Sequence, residues 1–213
     1  MNDEGKRRTD PGTDGRSAST RARLLDATLL VLAERGRQGT SSRAIAAASG
    51  VNLAGITYHF GSKEELVSQA LLEAARGWVE PALQALRSEA DPASRMIRAV
   101  QALQEAFVGA RDLLPVYLEA LVHASRSDRL RGGIDELFGE LRGFLAREIR
   151  TLQETGFLPA WIDPEPMAML IVATGDGLAL HSALDPEAVS PQAVASQAIQ
   201  LLFAASSGPR SSS

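Results

Sequence analysis

The residues between 40 and 60 combine types and a spacing that suit contact with the major groove of DNA. Apolar periodicity predicts two short helices, from 41 or 42 to 49 and from 52 to about 59, separated by Gly50. Glycine tolerates the positive φ of a tight turn, while Ile45 and Ile56 would hold both helices on one core. Such a pair can place its second helix in a groove about 12 Å wide. Glycine-linked helices also occur in ordinary bundles, so spacing alone leaves DNA binding and plain packing equally open.

The distribution of charge along the chain favours a nucleic-acid partner for its N-terminal end. The net charge is −4, but residues 1–63 hold ten Lys/Arg and six Asp/Glu, whereas residues 64–213 hold twelve and twenty. The first segment is therefore +4 and the second −8. A basic end can contact phosphates, and an acidic remainder limits non-specific adhesion. Basic tails are common, so this asymmetry supports DNA binding without establishing it.

The chain lacks the residue patterns of the common enzyme and metal sites. It has no cysteine, and its three histidines, His59, His123 and His181, are scattered. Neither a glycine-rich phosphate loop nor a nucleophile elbow occurs, and Glu-x-x-His pairs of the di-iron type are absent. We therefore predict no catalytic residues, no metal and no cofactor. A helical enzyme and a helical protein–protein adaptor are the two alternatives to a DNA-binding regulator.

The termini and the apolar segments predict a cytoplasmic protein. The absence of cysteine fits a reducing compartment. Residues 1–20 have no apolar core and carry acids, unlike a secretory signal. We expect no apolar run to approach the ~18 residues of a membrane span, and so no membrane partner.

Helical periodicity along the whole chain predicts an all-α fold with two domains. The first helix runs from an N-cap at Thr20 to Gly36, after a disordered arm over 1–19. Ser62 caps a long helix in a capping box with Glu65, and Pro81 should end or kink it. Further helices are predicted over 93–110, 112–125, 128–155, 164–184 and 191–206, followed by a disordered tail over 207–213. The predicted domains are a DNA-binding helix-turn-helix domain, 20–66, and an effector-binding and dimerisation domain, 67–206.

The stretch from Thr40 to Leu66 strongly resembles the N-terminal domain of the tetracycline-repressor (TetR) family. Its ending, Tyr58-His-Phe-Gly-Ser-Lys-Glu-Glu-Leu66, is especially specific, and Arg23-Leu-Leu-Asp-Ala27 in the preceding helix also fits. The resemblance covers about residues 20–70, and the segment 176–186 looks like the family's dimerisation helix. One departure is that Thr57 stands where the family usually has its aromatic residue, with Tyr58 following. Which of these two side chains meets a phosphate therefore stays open.

The resemblance implies a set of DNA contacts on the helix pair and at the start of the next helix. The expected phosphate contacts, base-edge readers, groove-facing residues and phosphate clamps are, in chain order, Thr40, Ser41, Ser42, Arg43, Asn52, Leu53, Ala54, Gly55, Thr57, Tyr58, His59 and Lys63. Arg43 could read guanine and Asn52 adenine, while Gly55 would let the backbone approach the groove. The alternatives are a surface salt bridge for Arg43, a packed tyrosine at Tyr58 and a structural or solvent-facing His59.

The resemblance also implies that the C-terminal helices bind a small effector and form a homodimer. The segments 167–184 and 193–205 are apolar beyond one core face, as a dimer interface requires, with a monomeric core as the alternative. Candidate pocket residues are Phe107, Leu114, Tyr117, Leu118, Leu121, His123, Phe138, Leu141, Trp161 and Asp176, although such residues are also typical of plain core. The expected function is a repressor that binds a palindromic operator as a homodimer and is released by a small molecule, with Pro81 as a hinge.

Overall fold

A computed structural model describes residues 11–88, 90–109, 113–185, 187, 190, 192–194, 196–197 and 200–201 of the chain, without the side chains of 11–16, 103–104 and 107–109. All the regular elements within these ranges are helices, which confirms the predicted all-α class. They are α1 (Pro11–Gly39), α2 (Ser42–Ser49), α3 (Leu53–Phe60), α4 (Lys63–Leu86), α5 (Pro92–Gly109), α6 (Leu114–Ala124), α7 (Asp128–Glu154) and α8 (Pro164–Leu184). The described residues between 192 and 201 are also helical.

The chain forms two compact units, residues 1–71 and 72–213. The division falls within α4, as does the predicted boundary after residue 66. The first unit has a core to which each of its helices contributes: Leu24, Ile45, Ile56, Phe60 and Leu66 are buried together, with Leu25 and Val51 packed against them. Burial of such side chains contributes about 1.5–3 kcal/mol each, which fixes two short helices that would not be stable alone.

Helix α1 begins earlier than the sequence led us to expect. It starts at Pro11, so residues 11–19 are helical and the prediction of a disordered arm is wrong for them, as is an N-cap at Thr20. Asp10-Pro11 is a helix-start signal, because proline suits the first helical position and aspartate the cap before it. Residues 1–10 of the predicted arm lie outside the described residues. At the other end, Gly36 breaks the helical geometry with φ 60° and ψ −179°, as predicted.

Helix α4 does not end at Pro81 but continues to Leu86. Proline removes one backbone hydrogen bond and costs about 3 kcal/mol inside a helix. Residues on both sides of it are buried, among them Trp78, Val79 and Leu83. Their burial contributes about 1.5–3 kcal/mol each, which outweighs the cost of the proline. A hinge at Pro81 stays a prediction.

The second unit is organised around α7, which packs against α5, α6 and α8, while α6 also packs against α8. The bounds of these helices agree with the sequence prediction to within about two residues. One buried cluster joins the end of α7 to the loop before α8 through Ile149, Leu152, Leu158 and Ile162. A buried ion pair ties α5 to α7, because the guanidinium of Arg95 donates to Oε2 of Glu148 at 2.7 and 3.0 Å.

Helix α8 is longer and more apolar than the expectation of no membrane-length segment allowed. An 18-residue window of Pro164–Leu184 has a mean hydropathy of 1.4, so by length and composition alone this helix could cross a membrane, and that expectation is wrong. One helix of this kind is weak evidence for a membrane span. Only 22 % of the window is buried, so α8 is not simply a core helix either. Its apolar residues are largely uncovered in a single chain.

Candidate nucleic-acid interface

The start of α2 presents hydrogen-bond donors suited to an anion. Ser41 is the N-cap, and its hydroxyl oxygen accepts from the backbone N–H of Ala44 at 3.2 Å. Ser41 is exposed, so its hydroxyl proton remains free to point outward while the oxygen caps the helix. The first amides of a helix and its dipole favour a phosphate there. Ser42 is half-buried and Arg43 is exposed on the same turn.

Thr40 belongs to the core rather than to the surface. Only 3 % of the residue is exposed, and its hydroxyl donates to the carbonyl of Gly36 at 2.8 Å. Its own carbonyl accepts from Nζ of Lys63 at 3.4 Å. The predicted phosphate contact by this side chain is therefore corrected: Thr40 braces the break in α1 against the start of α2.

Helix α3 divides cleanly into an inner and an outer face. Ile56 and Phe60 are buried. The exposed residues, at positions i, i+1, i+4 and i+5 along one face, are Leu53, Ala54, Thr57 and Tyr58. The exposed fraction reaches 48 % for Leu53 and 81 % for Tyr58, high for side chains of this size. Thr57 and Tyr58 both point outward, so exposure does not separate them as phosphate contacts.

Asn52 has a structural task at the start of α3. It is the N-cap, and its Oδ1 accepts from the backbone N–H of Gly55 at 2.9 Å. A bidentate contact to adenine uses both the carbonyl and the amide nitrogen of asparagine. Because Oδ1 is engaged, only the Nδ2 donors remain free without breaking the cap. Asn52 can therefore donate to DNA but cannot read adenine in both directions while α3 stays capped.

Gly55 is required by packing within the protein. A Cβ built at this position would lie 2.5 Å from Cγ1 of Val51. Val51 packs against the core of this unit, so it has little freedom to move away. Close approach of the backbone to DNA was the predicted reason for this glycine, and contact with Val51 is a sufficient reason within the chain.

The end of α3 and the start of α4 carry the remaining predicted contacts. The rings of Tyr58 and His59 meet edge-to-face, with centroids 4.9 Å apart, and His59 is half-buried. Ser62 caps α4 as predicted, accepting from the N–H of Glu65 at 3.1 Å. Nζ of the half-buried Lys63 lies 3.4 Å from the Thr40 carbonyl and 3.5 Å from Oε1 of Glu64. These contacts restrain the Lys63 ammonium next to the helix pair.

The predicted effector residues fall into three classes of exposure. Leu114, Tyr117, Phe138 and Leu141 are buried. Leu118, Leu121, His123 and Asp176 are half-buried. Trp161 is 73 % exposed, so its assignment to a pocket wall is corrected. Leu158 and Ile162, four residues apart, are the buried residues of this loop and turn Trp161 outward. The side chain of Phe107 lies outside the described residues.

One polar contact stands out among these apolar residues. The hydroxyl of Tyr117 on α6 donates to Oδ1 of Asp176 on α8. The ring of Tyr117 also lies against Trp78 of α4, with centroids 5.6 Å apart. Burial, followed by the neighbouring Asp176 charge, raises the pKa of the Tyr117 hydroxyl. Burial also raises the pKa of Asp176, and the hydrogen bond from Tyr117 opposes that effect.

Two family models match the chain. One, described as "Bacterial regulatory proteins, tetR family", matches residues 24–70, which contain the helix pair. The other, described as "BetI-type transcriptional repressor, C-terminal", matches residues 92–204, more than half of the chain. The chain belongs to the TetR family of transcription regulators. The family predicted from the residues between 40 and 66 is confirmed.

Similar proteins include regulators of several bacteria. The HTH-type transcriptional regulator PksA of Bacillus subtilis is 25 % identical over 171 residues, covering 80 % of this chain and 82 % of the relative. A crystal structure of a candidate transcriptional regulator from Pseudomonas aeruginosa PAO1 has a TM-score of 0.76 at 26 % identity and covers 94 % of both chains. Another, from Saccharomonospora viridis in complex with choline, has a TM-score of 0.72 at 25 % identity, covering 84 % of this chain and 93 % of that one.

Two arginines of α1 support the helix pair of this TetR-family chain, and sequence reasoning missed both roles. Arg23 donates to the carbonyl of Ser49 at 2.6 Å, at the end of α2 where free carbonyls attract cations. Arg21 stacks on the ring of Phe60, 4.8 Å from its centroid, and donates to the side chain of Gln69. Arg23 was visible only as part of a family motif. Its partner lies 26 positions away, beyond the reach of local patterns.

Proposed function

We propose that this protein is a transcriptional repressor that binds a palindromic operator as a homodimer and is released by a small-molecule effector. The observation that carries the DNA-binding part is the outer face of α3, where Leu53, Thr57 and Tyr58 are exposed over a well-packed inner face. Repression is favoured because the matched C-terminal family model is of a repressor type.

On this proposal, phosphates and base edges are contacted by different parts of the helix pair. Ser41 donates to a phosphate at the start of α2, while Tyr58 and Lys63 contact the backbone on the other side of α3. Arg43 is exposed and long enough to reach a base edge, where a guanine offers two acceptors. Leu53 and Ala54 supply apolar contact for thymine methyl groups. The cap on Asn52 limits it to donated hydrogen bonds.

The proposed dimer uses the outward face of α8. Met169, Leu170, Leu180 and Leu184 are 46–74 % exposed. With Ala173 and Gly177 between them, they follow one side of the helix at intervals of three or four residues. A contiguous apolar face of this kind is typical of a surface that a second copy covers, and a two-fold axis would pair it with itself. Ile199, Leu202 and Phe203 of the predicted second interface helix lie outside the described residues.

The effector is proposed to bind in the C-terminal unit, in the region of Tyr117 and Asp176. A relative whose crystal structure contains choline supports a small-molecule ligand for this chain. We also propose that the protein has no catalytic activity, acts in the cytoplasm and needs no membrane. On this view, the apolar length of α8 serves dimerisation.

A gel shift with the DNA upstream of the protein's own gene tests the function. The wild-type protein should retard this fragment with an affinity that falls steeply as salt increases, because phosphate contacts release counterions. Arg43→Ala should weaken binding to the operator by about tenfold or more and binding to unrelated DNA much less, as expected for a base reader.

The matched control is Arg126→Ala, which removes an equally exposed arginine from the C-terminal unit. It should leave the operator affinity unchanged within about twofold, since salt screens charges beyond about 10 Å. If the wild-type protein retards no fragment at any salt concentration, the DNA-binding proposal falls and a helical protein–protein adaptor is favoured. If both variants weaken binding equally, Arg43 is not a base reader.

A further inference from the structure

The contact between Tyr117 and Asp176 places a carboxylate in an unusual setting within the C-terminal unit. Asp176 is half-buried on α8, and its printed surroundings are aromatic and apolar rather than basic. Among the residues that the structure describes, the hydroxyl of Tyr117 is its hydrogen-bond donor, and no arginine, lysine or histidine forms an ion pair with it. A carboxylate removed from water without a cation is costly unless something else compensates it.

The groups behind this carboxylate are aromatic. Tyr117 and Trp78 are each only 5 % exposed, and their ring centroids are 5.6 Å apart in a tilted arrangement. The faces of such rings carry negative electrostatic potential and attract cations within about 6 Å. The hydroxyl of Tyr117 holds the carboxylate next to the same ring. An acid and a face-bearing ring pair therefore come together on three different helices, α4, α6 and α8.

There is also space beside the carboxylate. Asp176 lies between Gly175 and Gly177, and a Cβ built at either glycine would meet no atom within 4 Å. Both glycines are half-buried, so this open space lies along a partly covered part of α8. By contrast, a Cβ at Gly133 on α7 would lie 2.7 Å from the side chain of Leu72. Small residues on either side of Asp176 therefore leave room for a ligand to reach the charged group.

We propose that the effector site of this protein selects small organic cations, such as alkylammonium or quaternary ammonium compounds, through Asp176 with Tyr117 and Trp78 beside it. This inference rests on the proposed function, because it names the ligand class of the proposed effector site. A cation compensates the carboxylate that the protein leaves without a counterion, and its alkyl groups pack on the aromatic rings. An anionic ligand would be repelled by Asp176, and an uncharged one would lack the ionic contact.

A matched series of six-carbon ligands tests this class directly. Hexylammonium, hexan-1-ol and hexanoate share one alkyl chain and differ in charge. The chain has two tryptophans, so Trp161→Phe leaves Trp78 as the single fluorescent reporter beside the site. In that background, hexylammonium should bind at least about tenfold more tightly than either partner, since a hydrogen bond to a charged group contributes about 1.5–3 kcal/mol. Equal or tighter binding of hexan-1-ol or hexanoate overturns the inference.

Asp176→Asn tests the residue itself. Asparagine keeps an acceptor for the Tyr117 hydroxyl and removes the charge, so hexylammonium should lose its preference and bind no better than hexan-1-ol. Tyr117→Phe keeps the carboxylate and should retain the preference for the cation. An Asp176→Asn protein that folds, as judged by circular dichroism, and still prefers hexylammonium contradicts the assignment. If that variant does not fold, the ligand series on the native site decides alone.

The gel shift separates this inference from the proposed function. If hexan-1-ol or hexanoate releases the operator and hexylammonium does not, the proposed function stands and the cation site falls. If hexylammonium binds with a preference that depends on Asp176 but the protein binds no DNA, the cation site stands and the proposed function falls.

Discussion

Helices α3 and α8 both bury one face and expose the other, but the two exposed faces differ in chemistry. The face of α3 mixes apolar groups with donors, since Leu53 and Ala54 alternate with Thr57 and Tyr58. The face of α8 is almost entirely apolar over five turns. Their glycines differ as well: Gly55 is held tightly against Val51, whereas Gly175 has open space beside it.

This difference indicates what each face is suited to meet. A mixed face with free donors matches a groove lined by phosphates, base acceptors and methyl groups, where most contacts are polar. A continuous apolar face matches a surface of the same kind, as a homodimer provides. The tight packing of α3 holds its donors in place, while the open space on α8 leaves room for a ligand.

The largest expected effect comes from charging the outer face of α8. Leu180→Glu combined with Leu184→Glu should turn a dimer into a monomer at about 10 μM. Four buried leucines per dimer would each forfeit about 1.5–3 kcal/mol, so the affinity for a palindrome should fall by more than about a hundredfold. Light scattering after size-exclusion chromatography measures the mass.

Val122→Glu is the matched control for this pair. Val122 is 57 % exposed on α6, comparable to Leu180 at 46 % and Leu184 at 74 %. It should leave the mass unchanged. Dissociation by the control to the same extent, or no dissociation by the double variant, would show that the α8 face is not the interface.

A second, smaller effect should separate the tight glycine of α3 from the open glycine of α8. Gly55→Ala forces a methyl group to within 2.5 Å of Val51 and should destabilise the N-terminal unit by about 1–3 kcal/mol. Gly175→Ala should be neutral or stabilising by up to about 1 kcal/mol in the absence of ligand, because alanine favours the helix. Urea unfolding followed by circular dichroism compares the two. Equal stabilities would remove packing as the reason for Gly55.

Much of the N-terminal unit could be predicted because its signals are local. Ser41, Gly50, Asn52 and Ser62 cap or end helices within a few residues of their own positions, and such signals can be read from spacing. The core positions Ile45 and Ile56 follow from the same periodicity. The family resemblance depends on this segment, which is why the fold and family were predictable together.

Orientation of individual side chains was harder to predict, because contacts distant in sequence decide it. Thr40 was taken for a surface hydroxyl, but Gly36 and Lys63 draw it inward. Trp161 was taken for a pocket residue, but the loop buries Leu158 and Ile162 instead. No helical period predicts which residue of a loop turns outward. The contact between Tyr117 and Asp176, 59 positions apart, is of the same kind.

Variants of Asn52 should sharpen the distinction between structure and recognition on α3. Asn52→Ala removes the cap and should cost about 1 kcal/mol of stability. Asn52→Ser and Asn52→Asp keep a capping oxygen and should lie within about 0.5 kcal/mol of the wild type. Asp adds a negative charge toward DNA, so Asn52→Asp should weaken operator binding severalfold more than Asn52→Ser does. Equal DNA affinities for these two capped variants would place Asn52 away from the phosphates.

The smallest expected effect lies at Asp176 and appears only as a function of pH. Burial raises the pKa of this carboxyl in the folded protein above its unfolded value. The folded state therefore holds the proton longer, and stability should fall as pH rises from the unfolded pKa to the raised folded value, then stay constant. Asp176→Asn has no such group, so its melting temperature relative to wild type should increase across that interval and not below it. A difference independent of pH would show that the charge of Asp176 carries no cost in the free protein, and with it the reason to expect a cation there.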